Sequence, residues 1–230
     1  LKTILKRGVQ SLFARDLNLS KKTTYHKFKQ NTPITDYEYI KPYVRKISEG
    51  KKNILTEGIP AYFAITSGTT SGTKYIPLTK EMMSFQTQAI KELLLLYAYQ
   101  TNNYIISNIG MMFIQGSPEL KYFNQIPYAK LSGIAARHIP FFLKKNRYPS
   151  MKTNCISNWN EKISKIVEET HNKDMSIIGG IPPWVLTYFE SLLNYTNKKN
   201  VLDVFPNLKL YIHGGTCFDS YRDSFLNFCG

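Results

Sequence analysis

The chain has 230 residues, of which 43% are hydrophobic and 13% aromatic, and a formal net charge of +14 from 30 basic and 16 acidic residues. This composition excludes a disordered chain and allows one large α/β domain or two small ones. The three cysteines, Cys155, Cys217 and Cys229, are far apart and form no C-x-x-C pair and no metal pattern with the histidines. They indicate a reduced, cytoplasmic protein.

The positive charge is dispersed along the chain. Lysines occur in pairs such as Lys21-Lys22 and Lys144-Lys145, and no stripe of arginines alternates with aromatic residues. We therefore expect no nucleic-acid partner, and a basic nucleic-acid-binding module remains the weaker alternative. The longest apolar run, Leu93 to Tyr99, is too short to span a bilayer, so no membrane contact is expected either.

Residues 1–56 are predicted to form a helical lead-in. Asp36 is placed to cap a helix that ends before Gly50. Its apolar positions Tyr37, Ile40, Val44 and Ile47 recur at helical spacing. Pro42 lies inside this pattern, and we expect it to kink the helix or split it in two.

The most informative stretch is Thr66-Ser67-Gly68-Thr69-Thr70-Ser71-Gly72-Thr73-Lys74, which follows the apolar run Ala61 to Ile65. A strand that leads into hydroxylated residues, two glycines and a lysine has the chemistry of a phosphate cradle. Glycines allow close approach of the backbone to an anion, hydroxyls donate hydrogen bonds, and the lysine adds a mobile positive charge. The spacing is not that of a Walker loop, and an ordinary solvated loop is the alternative reading.

After this loop, Thr79 is the expected N-cap of a long helix that reaches about Tyr99. Its predicted buried stripe consists of Met82, Phe85, Ala89, Leu93 and Leu96. A buried strand is predicted to follow and to end near Ile114.

Strand, glycine turn and helix follow one another twice in the C-terminal half, at Met175-Gly180-Trp184 and Leu210-Gly215-Tyr221. This alternation predicts an α/β fold with a mostly parallel sheet covered by helices. Ligands of such sheets bind beyond the carboxyl ends of the strands, so we expect Gly68 and Gly215 to face one crevice. An ordinary strand-to-helix turn explains the pair Gly214-Gly215 equally well.

The order of these motifs resembles that of a known family. The run S-G-T-T-S-G-T-K followed by Y-I-P is similar to the phosphate-binding signature of adenylate-forming enzymes. Within them the chain most resembles the auxin-responsive promoter family of acyl acid-amido synthetases, including its bacterial members. Further similar blocks, in the same order, are Pro33-Ile34-Thr35-Asp36-Tyr37-Glu38, Gly50 to Thr56, Asn158-Trp159-Asn160-Glu161-Lys162-Ile163, Gly180-Ile181-Pro182-Pro183-Trp184 and His213-Gly214-Gly215.

The resemblance implies a ligase with the N-terminal part of a large adenylation domain. Such enzymes use ATP and Mg²⁺ to activate a small carboxylic acid as its acyl-AMP, and then transfer the acyl group to an amine or amino acid. By this resemblance the phosphates would be bound by Ser67, Gly68, Thr69, Thr70, Ser71, Gly72 and Lys74. Lys74 would also act in catalysis, Gly214 and Gly215 would border the adenine and acyl end, and no residue is assigned as a metal ligand.

We expect residues 1–230 to be a single truncated adenylation domain, because the sequence starts at Leu1 and ends within a helical pattern. The resemblance implies a further aromatic/Ser-Glu block and a small C-terminal domain, both absent from these residues, so we expect the fragment to be incomplete for catalysis. A non-catalytic nucleotide- or anion-binding domain is the alternative to an enzyme.

Overall fold

The computed structural model of the chain describes residues 1–68, 72–103, 110–139 and 141–230. The chain folds into two compact units. The first comprises Leu1–Phe85 and Leu120–Ile134, and the second comprises Gln86–Glu119 and Ala135–Gly230.

Four helices precede the first strand, and helices and strands are mixed along the rest of the chain. The helices are α1 (Lys2–Gly8), α2 (Leu12–Asp16), α3 (Tyr25–Asn31), α4 (Tyr37–Ser48), α5 (Lys80–Thr101), α6 (Leu131–Arg137), α7 (Phe141–Lys144), α8 (Met151–Asn154), α9 (Trp159–Thr170), α10 (Pro182–Thr196) and α11 (Arg222–Cys229). The strands are β1 (Tyr62–Gly68), β2 (Gly72–Leu78), β3 (Gly110–Ile114), β4 (Lys121–Phe123), β5 (Ile126–Lys130), β6 (Arg147–Tyr148), β7 (Met175–Gly180) and β8 (Leu210–Ile212).

Helix α4 begins at its predicted cap. The Asp36 carboxylate accepts a hydrogen bond from the backbone N–H of Tyr39 at 3.2 Å. Pro42 lies inside α4 without dividing it, so of the two predicted outcomes, a kink or a split, the split does not occur. Proline removes only the bond to the carbonyl of residue 38, while burial of Val44 and Ile47 holds the apolar face of the helix against the core.

The first unit contains a mixed sheet with the strand order β2-β1-β5-β4. Strands β1 and β2 form an antiparallel hairpin, β1 pairs with β5 in parallel, and β5 pairs with β4 in antiparallel fashion. Neighbouring residues of β1 face opposite sides, since Phe63 packs with Val44 and Ile47 whereas Ala64 packs with Met83. Both faces of this sheet are therefore covered.

The second unit contains an entirely parallel sheet with the order β6-β3-β7-β8. Its central strand β7 is buried from Met175 to Gly179. Ile178 packs with Val185 of α10, and Ile177 packs with Leu143 of α7 on the opposite face. A parallel sheet with helices on both sides confirms the predicted α/β class, and β7–α10 and β8–α11 are the two predicted strand–helix repeats.

The two glycine loops belong to different sheets. Gly68 ends β1 in the first unit, whereas Gly215 follows β8 in the second unit. The single sheet on which the predicted shared crevice depends is therefore not found, since each loop belongs to its own sheet. The sequence period identifies strands, but the pairing of β1 with β5, more than 60 residues later, is a long-range choice that the period does not specify.

The buried face of α5 also differs from the prediction. Thr79 caps the helix as expected, since its hydroxyl accepts from the backbone N–H of Met82 at 3.2 Å. Phe85 and Leu96 of the predicted stripe are, however, 71% and 53% exposed, and Met83 and Ala98 are buried instead. Apolar residues occupy both faces of α5, so the spacing does not select between them. None of the helices among the described residues combines the length and apolarity needed to cross a bilayer.

The N-terminus of α8 is held by a carboxylate of α9. Glu169 accepts from the backbone N–H and the hydroxyl of Ser150, both at 2.7 Å, and from the hydroxyl of Thr153. Partial burial alone would raise the pKa of Glu169, but the three hydrogen bonds outweigh it and lower the pKa below its usual value. The ionised form of Glu169 therefore stabilises this junction.

Replacing Glu169 by glutamine is expected to lower the free energy of unfolding by about 1 kcal/mol near neutral pH, because charge-assisted bonds to Ser150 and Thr153 are lost. A carboxyl whose pKa is lowered by folding stabilises the protein above its unfolded pKa of about 4.3, and this contribution disappears as the pH falls through the folded value. Urea unfolding at a series of pH values measures the free energy of unfolding of both proteins, and the difference between wild type and E169Q should disappear below about pH 4. Glu168→Gln, which removes an exposed partner of Lys165, is the control, and a gap that persists at low pH would contradict the argument.

Candidate functional site

The described residues of the hydroxyl- and glycine-rich stretch lie at the end of β1 and the start of β2. The two strands pair as far as Gly68 opposite Gly72. Ser67 and Gly68 are thus the last residues of β1, and Lys74 lies in β2 opposite Thr66. Thr69, Thr70 and Ser71, which were also predicted to bind phosphate, lie outside the described residues. The strand therefore continues three residues beyond the predicted apolar run.

Gly72 opens β2 in a conformation that favours glycine. Its φ is +74°, and a Cβ atom built there would have no heavy atom of the described residues within 4 Å, apart from its neighbours in the chain. The positive φ explains why a residue without a side chain stands here, since other residues rarely adopt it. Within the described part of the chain, nothing therefore prevents a ligand from approaching the main chain of Gly72 closely.

Lys74 is half-buried. Its Nζ lies 5.7 Å from the centre of the Tyr37 ring, a cation–π distance. Among the residues that the structure describes, no acidic side chain forms an ion pair with Lys74. The ammonium group therefore lies beside an aromatic ring and has no described carboxylate partner that would compete with an anionic ligand.

Tyr37 of α4 also secures the strand that carries Lys74. Its hydroxyl accepts from the backbone N–H of Tyr75 at 2.9 Å and donates to the carbonyl of Tyr75 at 3.4 Å. Strand β2 is an edge strand, so these backbone groups have no strand partner on that side. Tyr37 thus provides a hydrogen-bond partner for the outward-facing backbone groups of Tyr75, and its ring lies beneath the Lys74 ammonium.

The side chain of Tyr75 is packed among aromatic rings on the sheet face. Its ring centre lies 5.0 Å from that of Phe123 and 5.9 Å from that of Tyr128. Burial, with smaller effects of Tyr128 and Tyr37, raises the pKa of Tyr75. This aromatic cluster gives the hairpin a rigid base. Sequence reasoning missed the role of Tyr37, because it lies 38 residues before Tyr75 and no local pattern connects the two.

Gly214 and Gly215 lie in the turn that follows β8 in the second unit. Gly215 has a φ of +83°, and a Cβ atom there would lie 3.1 Å from Cγ2 of Ile181, at the start of α10. Local geometry therefore gives Gly215 a structural reason to be glycine. Gly214 has a negative or extended φ and open space around it, so the turn alone does not require glycine at this position.

Rings that sequence reasoning did not single out lie beside this turn. The ring of His213 stacks on Phe218 with centres 4.6 Å apart, and Tyr211 lies 5.5 Å from the same histidine. Tyr211 also donates to the carbonyl of Gly180, which ties β8 to the end of β7. In the part of the chain that the structure describes, no three or more His, Cys, Asp or Glu residues are grouped so that they could hold a metal ion.

Comparison with known proteins agrees with this architecture. Residues 1–157 match the model of the GH3 family N-terminal domain. The chain belongs to the GH3 family. The predicted membership of the auxin-responsive acyl acid-amido synthetase family is thereby confirmed.

Two similar sequences and one solved structure illustrate the relationship to this GH3 chain. A jasmonoyl–L-amino acid synthetase, JAR6 of Nicotiana attenuata, is 27% identical over 124 residues, which cover 53% of this chain and 21% of the relative. Indole-3-acetic acid-amido synthetase GH3.15 of Arabidopsis thaliana is 36% identical over 83 residues, or 35% of this chain and 14% of the relative. A solved structure of the GH3.15 acyl acid amido synthetase superposes with a TM-score of 0.74 at 14% identity, over 99% of this chain and 50% of that structure.

The structural likeness shows that this GH3 chain shares its fold with about half of that acyl acid amido synthetase structure. The aligned segments span only about a fifth or less of the curated relatives.

Proposed function

We propose that this GH3 chain is the adenylating part of an acyl acid-amido synthetase. In the first step a carboxylate oxygen attacks the α-phosphorus of ATP and pyrophosphate leaves. In the second step an amine attacks the acyl carbon of the acyl-AMP, forms an amide and releases AMP. The observation that carries the proposal is the β1–β2 hairpin, where Gly72 has open space and Lys74 has no acidic partner among the described residues. The synthetase names of the relatives support it.

The hairpin residues suit a role in binding and orienting the triphosphate. Backbone N–H groups and hydroxyls of residues 67–72 would surround the β- and γ-phosphates, and Lys74 would neutralise charge that develops on the leaving pyrophosphate. Attack of a carboxylate on phosphorus needs no covalent enzyme group, only two anions held in line and their charge balanced. Tyr37 contributes by limiting the positions open to the Lys74 ammonium.

The remaining predicted parts of the site are proposed on the same basis. Gly214 and Gly215 would border the adenine and the acyl group, in the turn at the carboxyl end of β8. Mg²⁺ would bring further positive charge to the phosphates. In enzymes of this kind of chemistry it is usually coordinated by substrate phosphates and one or two protein carboxylates. We also retain the cytoplasm as the proposed location, and a single truncated adenylation domain as the proposed domain assignment.

Binding of ATP to the 230-residue chain tests this proposal. Isothermal titration with ATP, with and without Mg²⁺, should show saturable binding that pyrophosphate competes away. Exchange of labelled pyrophosphate into ATP, with a panel of aryl and alkyl acids, tests the chemistry itself, and we expect it only from a longer chain that also carries the further aromatic/Ser-Glu block and the C-terminal domain. Failure of both ATP and pyrophosphate to bind would overturn the proposal. Oligonucleotide binding with a steep salt dependence, in the absence of ATP binding, would favour the basic nucleic-acid-binding alternative.

A further inference from the structure

A small apolar cavity of about 160 Å³ lies in the first unit, between α4, the segment 54–60 and the junction of β2 with α5. Its main lining residues are Ile47, Ile54, Leu55, Pro60, Pro77 and Met82. Ile54 is only 6% exposed and Ile47 only 3%, so the cavity reaches into the core of the unit.

The lining of this cavity carries no charged side chain. Its two hydroxyl groups belong to Thr56 and Thr79, and the Thr79 hydroxyl already accepts a hydrogen bond from Met82. A charged or strongly polar molecule would lose its hydration here without gaining hydrogen-bond partners. Burying a polar group without such a partner costs roughly 2–7 kcal/mol. Apolar cavities of roughly 150 Å³, in contrast, stay dry and accept benzene-sized molecules.

Lys74 does not line the cavity. Successive residues of a strand point to opposite faces, so Tyr75 and Pro77 share one face of β2 while Lys74 and Ile76 belong to the other. The observed packing agrees, since Tyr75 joins the cluster that contains Ile47 whereas Ile76 joins the cluster on the opposite face. The Lys74 ammonium nevertheless reaches the Tyr37 ring, which belongs to the cluster of Ile47.

We propose that the first unit binds a neutral, apolar molecule of about the size of a benzene ring in this cavity. Such a ligand contacts both elements that position Lys74. Ile47 is on the same helix as Tyr37, and Pro77 is on the same strand as Lys74. The ligand class differs from the ATP and carboxylic acid of the proposed synthetase reaction, and the proposal holds whether or not that reaction takes place.

Methyl NMR of the 230-residue chain, labelled at isoleucine, tests the site directly with benzene as the probe. Saturable shifts are expected at the methyl groups of Ile47 and Ile54, with none at Ile177 and Ile178, which lie in the second unit. Benzoate, which has the same ring and a negative charge, should shift neither pair. Ligand binding should also raise the unfolding temperature, by an amount that grows with the logarithm of the benzene concentration once this exceeds the dissociation constant.

A pair of substitutions tests whether the volume of the cavity limits the size of the ligand that it accepts. Ile54→Ala enlarges the cavity and should allow naphthalene to bind, whereas Val44→Ala removes a methyl-bearing side chain from the same cluster without lining the cavity. Both variants lose stability, but only I54A should change the size of the accepted ligand. Absence of shifts at Ile47 and Ile54 up to the solubility limit of benzene would overturn the proposal, and so would equal binding of benzoate.

Discussion

Replacing Lys74 by alanine is expected to weaken ATP binding by about ten- to a hundredfold while leaving the fold intact. A hydrogen bond to a charged group contributes roughly 1.5–3 kcal/mol, and about 1.4 kcal/mol corresponds to a tenfold change in affinity. Lys74 has no ion pair with a described acidic residue, so its removal breaks only the cation–π contact with Tyr37. Calorimetric titration with ATP measures the loss, and urea unfolding checks the fold.

Two further variants sharpen this experiment. Lys80→Ala removes an exposed lysine at the first residue of α5 and should leave ATP affinity unchanged. Tyr37→Phe keeps the ring beneath Lys74 but deletes both hydrogen bonds to Tyr75, so it should produce a smaller loss than K74A. If K74A binds ATP as tightly as the wild type, Lys74 does not belong to the phosphate site.

Replacing Lys162 by methionine is expected to lower the free energy of unfolding by about 2–5 kcal/mol. Lys162 is only 3% exposed, and its ammonium donates to the carbonyl of Gln115 at 2.9 Å and to that of Asn154 at 2.8 Å. These bonds join the chain that leaves β3 to the end of α8. Methionine preserves an unbranched apolar stem but leaves enclosed carbonyl groups without these donors, at roughly 1–3 kcal/mol each.

Lys165→Met is the matched control for this prediction. Lys165 is on the same helix, and its side chain is about half exposed and paired with Glu168. Exposed ion pairs of this kind contribute about 0–1 kcal/mol, so K165M should unfold almost as the wild type does. Urea unfolding of both variants gives the comparison, and hydrogen exchange should place the loss of protection in the second unit. Equal effects of the two substitutions would contradict a special role for Lys162.

Features that depend on neighbours in sequence were predictable without coordinates. The caps at Asp36 and Thr79 involve residues three positions apart, and the strand–glycine–helix repeats at β7 and β8 follow from local period and composition. The order of the phosphate motif and later blocks also sufficed to indicate the family, because a motif is a local pattern. These features require no knowledge of which distant segments meet.

Tertiary structure decided what local pattern leaves open. Both faces of α5 are apolar, so only packing selected Met83 and Ala98 for burial and left Phe85 exposed. The division of the strands between two sheets likewise follows from pairings between distant segments. For the candidate site, the decisive contact is between Tyr37 and the residues Lys74 and Tyr75, which come together only when the chain folds. The Tyr37 hydroxyl bonds to Tyr75, 38 residues later, because β2 is an edge strand whose backbone groups are open on that side.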